Sequence, residues 1–217
     1  MKKLITSVVV LFGGLMLAGS LLSLNSCSKG DVLAPDTVYI YKDTCSCDST
    51  AGTNLIQNSG FSTSLTSVSD LDGSNCTPWF PASGTPQIAA GNGPDGTRGY
   101  MQMWGNLDQH EAVAQILTNP VKAGDKLTVK MQIKFLHDNP SNYTPYTRVR
   151  VNLVNTSTGN TVTIGLFTTS VESYQPFQAS WTSTGDFDEV YFHVEDDNTG
   201  TNSATWAHID DLKLLKQ

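Results

Sequence analysis

Tyr143 and Tyr146 stand in the stretch Asp138-Asn139-Pro140-Ser141-Asn142-Tyr143-Thr144-Pro145-Tyr146, which is polar, carries two prolines and offers the rings no apolar partners. Trp206 alternates with His208 and Asp210, so in an extended chain the three share one face. Tyr100, Gln102 and Trp104 repeat that spacing, as do Lys130, Gln132 and Lys134, and again Arg148, Arg150 and Asn152. Aromatic rings stack on the apolar C–H faces of a pyranose, while amides and guanidinium groups read its hydroxyls by hydrogen bonds. Tyr143, Tyr146 and Trp206 are the candidate stacking rings, and Gln132, Arg148, Arg150 and Asn152 the candidate polar readers. Each has a structural reading beside it. Large aromatics in a layered β fold fill the core or cap its ends, and that is the expectation for Trp104, Trp181 and Trp79, the last lying between Pro78 and Pro81. If the two basic strands are neighbours in one sheet, they form a cationic trough for an acidic or hydroxyl-rich ligand. Facing bulk solvent, they are charges that discourage edge pairing, and the usual exposure of Lys and Arg favours this second reading.

Covalent chemistry has little support. The chain holds no Gly-x-Ser-x-Gly, His-Glu-x-x-His or P-loop pattern. His110, His137, His193 and His208 have no metal-specifying spacing; His193 and His208 can approach on adjacent strands as a satisfied surface pair. Carboxylate pairs exist (Asp108 with Glu111, Glu195 with Asp196), but glycoside hydrolysis requires two at a defined separation across a cleft. Of four cysteines, Cys27 has its own role, given below. Cys45, Cys47 and Cys76 remain, and the expected bridge joins Cys45 or Cys47 to Cys76, with Cys47–Cys76 as the assigned pair. A Cys45–Cys47 ring would strain its dihedral, and a zinc site on the three thiols lacks a fourth ligand.

The elements that must carry these residues are strands. Lys126 to Phe135 alternates, with Leu127, Val129, Met131, Ile133 and Phe135 on one face. Arg148 to Leu153 repeats the pattern, and Val190, Phe192 and Val194 form a further inner row. Thr161 to Phe167 and Tyr174 to Trp181 are additional strands, and Gln109 to Leu117 suits a strand or a short helix. Breaks fall at Asn119-Pro120, Ala123-Gly124-Asp125, Thr158-Gly159-Asn160, Thr184-Gly185-Asp186 and Asn198-Thr199-Gly200. Many short strands divided by turns predict an all-β sandwich or barrel.

The N-terminus reads differently. Lys2 and Lys3 precede a charge-free apolar run over 4–22, which closes on Leu24-Asn25-Ser26-Cys27. This order is that of a secretory signal, and the cysteine after a small residue resembles the lipobox of bacterial lipoproteins, although Asn25 is not the usual small residue. The resemblance implies cleavage before Cys27, a lipid on its sulfur and a place in the bacterial cell envelope, at the outer membrane or cell surface. The alternatives are ordinary secretion or an uncleaved anchor; all three put the remainder outside the cytoplasm. Cleavage removes Lys2 and Lys3 and no acid, so the formal charge falls from −7 to −9, which argues against nucleic acid as a partner. The expected organisation is a signal peptide over 1–26, a lipidated cysteine and tether over 27–53 (with a strand-like run, Thr37-Val38-Tyr39-Ile40-Tyr41, within it), and a β domain over 54–217.

Three stretches carry a second resemblance: Asn54-Leu55-Ile56-Gln57-Asn58-Ser59-Gly60-Phe61, then Val113-Ala114-Gln115-Ile116-Leu117 followed by Val121 to Val129, and finally Ala207-His208-Ile209-Asp210-Asp211-Leu212-Lys213-Leu214. Their order and spacing resemble the galactose-binding-like jelly roll of carbohydrate-binding modules. That implies two antiparallel sheets, a ligand site on a concave face or in the loops at one edge, polysaccharide as partner and no catalysis. It places the closing strand beside the opening one. Family members hold a structural calcium between an acid after the opening Phe and an Asp of the closing motif. Ser62 stands at the acidic position, which removes one hard ligand and leaves Asp210 or Asp211, with backbone carbonyls, or else a solvated turn. A structural or adhesive surface protein and a small hydrolase are the rival functions. The oligomeric state is not legible in the residues.

Overall fold

Alternation of buried and exposed side chains dictates strands, and among the residues that the computed structural model describes every regular element is one. The described residues are 52–94, 98–106, 109–136, 146–195 and 204–217. Cys27, Cys45, Cys47, the Thr37–Tyr41 run and Tyr143 lie outside these. The strands are β1 (Thr53–Asn54), β2 (Ser69–Asp70), β3 (Phe80–Ser83), β4 (Gln87–Asn92), β5 (Arg98–Asn106), β6 (Ala112–Val121), β7 (Lys126–Leu136), β8 (Thr147–Val154), β9 (Thr161–Thr169), β10 (Gln175–Thr182), β11 (Phe187–Glu195) and β12 (Ala204–Lys216). They form two antiparallel sheets. One has the order β10-β7-β12-β5-β4-β2 with β1 also paired to β12; the other is β3-β6-β11-β8-β9. This is the two-sheet jelly-roll sandwich that the pattern and the resemblance imply.

The inward rows form one core. Met101, Met103, Val129, Met131, Ile133, Ile209 and Leu214 of the seven-stranded sheet meet Val113, Val149, Val151, Leu153, Val190, Phe192 and Val194 of the other. Each such side chain contributes about 1.5–3 kcal/mol on burial. Trp79 plugs the core as expected, with Phe61 at 5.2 Å and Phe192 at 5.5 Å between ring centroids. Trp181 is partly buried against the same cluster. The chain ends meet: Thr53 pairs with Lys216 and Asn54 with Leu215, and the Asn54 side-chain oxygen accepts the Leu214 N–H.

Two expectations need correction. The segment from Gln109 resolves into a strand, and β6 runs on through Asn119 and Pro120 rather than breaking there. Its pairing to β11 shifts register between Phe187 and Glu189, so the proline, which cannot donate to a ladder, sits within an irregularity. His193 and His208 do not approach as strand neighbours, because β11 and β12 belong to different sheets. Cys76 is buried and has no disulfide partner among the described residues; Cys47, its expected partner, lies outside them. Burial pushes its pKa up to about 12, and the Asn58 amide donates to its sulfur at 3.5 Å.

Candidate functional site

The outer face of the seven-stranded sheet gathers rings and amides. Register fixes two rows across β5, β12 and β7 and a third across β12 and β7 alone. Trp104 lies opposite Trp206, which lies opposite Leu136; Gln102 opposite His208, opposite Lys134; and Asp210 opposite Gln132. Side chains at such positions share one face of the pleat. The inward residues between them, Met101, Met103, Ala207 and Ile209, are fully buried, so the alternate residues must point out. Trp104 is therefore not core, as expected from its size, but half-buried on the outer face.

The geometry is that of a platform. The Trp104 and Trp206 rings are 6.4 Å apart and inclined by 38°. Tyr100, two residues before Gln102, packs its ring on His208 at 4.4 Å. It also crosses Gly91 of β4, where a Cβ would stand 2.9 Å from the Tyr100 ring. Beside the rings runs an amide relay: Gln102 donates to the Gln87 side-chain oxygen and Gln87 donates to Asp70, both at 3.3 Å. His208 is buried, and neither ring nitrogen has a hydrogen-bond partner among the described residues. Burial first, and the nearby Lys134 charge second, push its pKa down to about 4, so it is neutral near pH 7 and offers one donor and one acceptor. Lys134 carries its ammonium 5.7 Å from the centre of the Tyr174 ring.

Trp104 also walls a cleft of about 430 Å³ with Ser83, Gly84, Thr85, Gln109, His110 and Glu111. Glu111 is buried and holds the tryptophan's backbone: its carboxylate accepts the Trp104 N–H at 2.9 Å and the Thr85 hydroxyl at 3.3 Å. Burial raises its pKa.

The structure separates the residues singled out from sequence. Trp206 and Gln132 lie on the platform. Arg148, Arg150 and Asn152 lie on β8, on the opposite outer face, because β7 pairs with β10 and β12 whereas β8 pairs with β11 and β9. The single cationic trough that required β7 and β8 to be neighbours is thus not formed. Arg150 is committed there: it donates to both Glu195 oxygens at 3.0 and 2.9 Å and to Thr163 at 3.1 Å, while Thr163 donates to Asn152 at 2.9 Å. His193 reaches Glu195 at 3.4 Å and packs its ring 4.6 Å from His110. Burial alone would raise the Glu195 pKa, but hydrogen bonds from His193 and Arg150 outweigh it and hold it at about 2. Tyr146 is half-buried before β8, and its carbonyl accepts the Thr205 hydroxyl at 2.7 Å, next to Trp206 in the chain.

Of the two acids named for calcium, Asp211 is engaged in an ion pair and Asp210 is enclosed. Asp211 pairs with Lys213 at 2.8 Å. Asp210 is fully buried, accepts the Asp211 N–H at 2.7 Å and fills the space above Gly93. At the position of the missing acid, the Asn58 amide accepts the Ser62 N–H at 2.7 Å and donates to the Ser62 carbonyl at 3.2 Å, closing that loop with side-chain bonds. No group of three or more His, Cys, Asp or Glu among the described residues can hold a metal ion. The residues that the sequence reading did not assign to the site are Trp104, Tyr100, Gln102, Gln87, His208 and Lys134. Their alternation with Met101, Met103, Ala207, Ile209 and Ile133 was the signal for their outward face.

These features define a two-sheet β-sandwich with an aromatic platform on one outer face. No family model matches the chain, and no curated protein matches it. Among solved structures, it is similar to an arabinose-bound α-L-arabinofuranosidase (12% identity, TM-score 0.50, 75% of this chain and 26% of that one). It is also similar to a xylan-binding domain from Paenibacillus barcinonensis (9% identity, TM-score 0.48, 77% and 96%) and to a carbohydrate-binding module solved with β-1,4-galactotriose (15% identity, TM-score 0.43, 76% and 99%). At 12% identity the arabinofuranosidase likeness is one of fold, and the chain spans about a quarter of that enzyme's length.

Proposed function

We propose that this chain is a non-catalytic glycan-binding protein whose ligand lies across the outer face of the seven-stranded sheet, and that lipid on Cys27 holds it at the bacterial cell envelope. One observation carries the binding reading: Trp104 and Trp206 stand side by side at 6.4 Å, half-buried and outward, with Gln102, His208, Lys134 and Gln132 around them. Indole faces kept outside an otherwise filled core are costly unless a ligand with apolar faces covers them. Amides within reach supply the hydroxyl recognition that an apolar partner would waste. Tyr146 borders the same strand through Thr205, and Tyr143 is proposed as a rim ring.

Protein adhesion is the weaker reading, since it calls for a contiguous apolar patch. Of the exposed large hydrophobics, Ile116 sits on β6, whereas Val68 precedes β2 and Val171 lies between β9 and β10. Hydrolysis is weaker too: Glu111, the acid beside Trp104, has both oxygens engaged in holding backbone and Thr85.

The test is affinity electrophoresis of the detergent-solubilised full chain through gels containing soluble xylan, galactan, arabinan or pectin. Retardation by at least one polymer is expected, falling at least tenfold in affinity (about 1.4 kcal/mol) in Trp104→Ala and Trp206→Ala. Absence of retardation by every polymer overturns the reading. The anchor is tested separately: labelled fatty acid is expected to enter the wild type and not Cys27→Ser, and equal labelling refutes it.

A further inference from the structure

The cations of this acidic chain differ in whether they meet a counter-charge. Lys122 pairs with Asp186, Lys213 with Asp211, Lys216 with Asp125 and Arg150 with Glu195. Lys134 makes no ion pair among the described residues; it is half-buried, with its ammonium over the Tyr174 ring. A partly desolvated ammonium facing a ring rather than a carboxylate keeps most of its capacity for an anion, and it binds one more strongly than an exposed lysine would. Its place is central. Lys134 is directly opposite His208, and Trp206 is two residues further along the same strand. That makes Lys134 the diagonal neighbour of Trp206, roughly 7–8 Å away between backbones and within reach of the substituent at the edge of a sugar stacked on that indole. The acids of the same face do not compete: Asp210 is fully buried and Asp70 is engaged by Gln87 at the far strand.

Building on the glycan-binding reading, we propose that the platform takes an acidic polysaccharide, with Lys134 binding the carboxylate of a uronic acid stacked at Trp206. His208 is neutral near pH 7 and adds no charge, so the Lys134 ammonium is the group that meets the carboxylate. A neutral hexose presents a hydroxymethyl group at the same position, which accepts from the ammonium without the charge and so binds more weakly.

The experiment measures calorimetric affinity of the full chain for polygalacturonate and glucuronoxylan, and for the same polymers after chemical reduction of their carboxylates to alcohols. At low salt the acidic forms are expected to bind about tenfold tighter than the reduced forms, a margin that shrinks as salt is added. In Lys134→Met, which keeps the aliphatic stem, the two forms bind alike, and an unchanged thermal midpoint shows that the fold is intact. Lys122→Gln, an exposed lysine at the start of β7's approach turn, retains the margin. Equal affinity for acidic and reduced polymers in the wild type overturns the inference and leaves the glycan reading standing, as does a margin that survives Lys134→Met. If neither form binds and no neutral polysaccharide is retained, the underlying reading fails and the inference falls with it.

Discussion

Glu111 shows how a single side chain sets up the platform without facing a ligand. It spans the gap between the two sheets: its N–H donates to the Trp104 carbonyl at 2.9 Å and its carboxylate takes the Trp104 N–H back. The price of this clip is a buried carboxylate, whose pKa rises because burial disfavours its charge. Removing the side chain strands the Trp104 N–H and the Thr85 hydroxyl. Glu111→Ala is therefore expected to lose about 1–3 kcal/mol in urea unfolding and to weaken glycan binding by loosening Trp104. Glu111→Gln retains an acceptor and sheds the buried charge, so it costs less in both measurements. Equal losses in the two variants would show that the charge, and not the backbone bond, is what the site needs. Glu111 acts through Trp104 and is a positioning residue.

The strands show what alternation can and cannot settle. Gly93 follows β4, and a Cβ there would overlap the Asp210 carboxylate of β12, in a sheet where β5 lies between β4 and β12. Gly93→Ala must displace a buried acid and is expected to cost about 1–3 kcal/mol. Gly124→Ala meets nothing within 4 Å and suffers only from a φ of 89°, so it costs about 1–2 kcal/mol from backbone strain alone; chemical melts of the pair compare crowding with conformation. This contact between distant segments is invisible in the sequence, and so is sheet membership. Lys126 to Leu136 and Thr147 to Val154 carry plain period-two patterns that identify them as strands and say which residues face in. Both are amphipathic in the same way, yet one joins each sheet, because pairing is decided by contacts far apart in the chain. That is why Gln132 and Arg150, each correctly outward, end on opposite sides of the molecule. Trp104 illustrates the converse. Its outward face follows from the inward Met101 and Met103, and a burial preference for large rings points the wrong way at a position that local alternation settles.

At the scale of the molecule, the two outer faces give it an acid response in two stages. His208 on one face has a folded pKa of about 4 against an ordinary 6.5, set by burial and by Lys134. Glu195 on the other has about 2 against 4.5, where bonds from His193 and Arg150 overcome burial. Both are depressed, so the unfolded chain takes up each proton before the folded one does, and stability falls as pH falls. For His208 the loss begins near pH 6.5 and is complete below about 4; for Glu195 it begins near 4.5 and is complete below about 2. Each gap is worth on the order of 3 kcal/mol when fully expressed. His110, lowered by burial and by His193, adds to the first stage, while Glu111 and Glu189, raised by burial, offset part of it as pH approaches 4.5. The thermal midpoint is expected to drop from pH 6.5 to pH 4 and again below 4.5. His208→Gln should flatten the upper stage and leave the lower one; Glu195→Gln should remove the lower stage and slightly deepen the upper, because the Glu195 charge opposes the lowering of His110. An upper stage undiminished in His208→Gln would mean that its imidazole is already protonated in the folded protein, which would place a second charge beside Lys134 and change what the platform offers an acidic ligand.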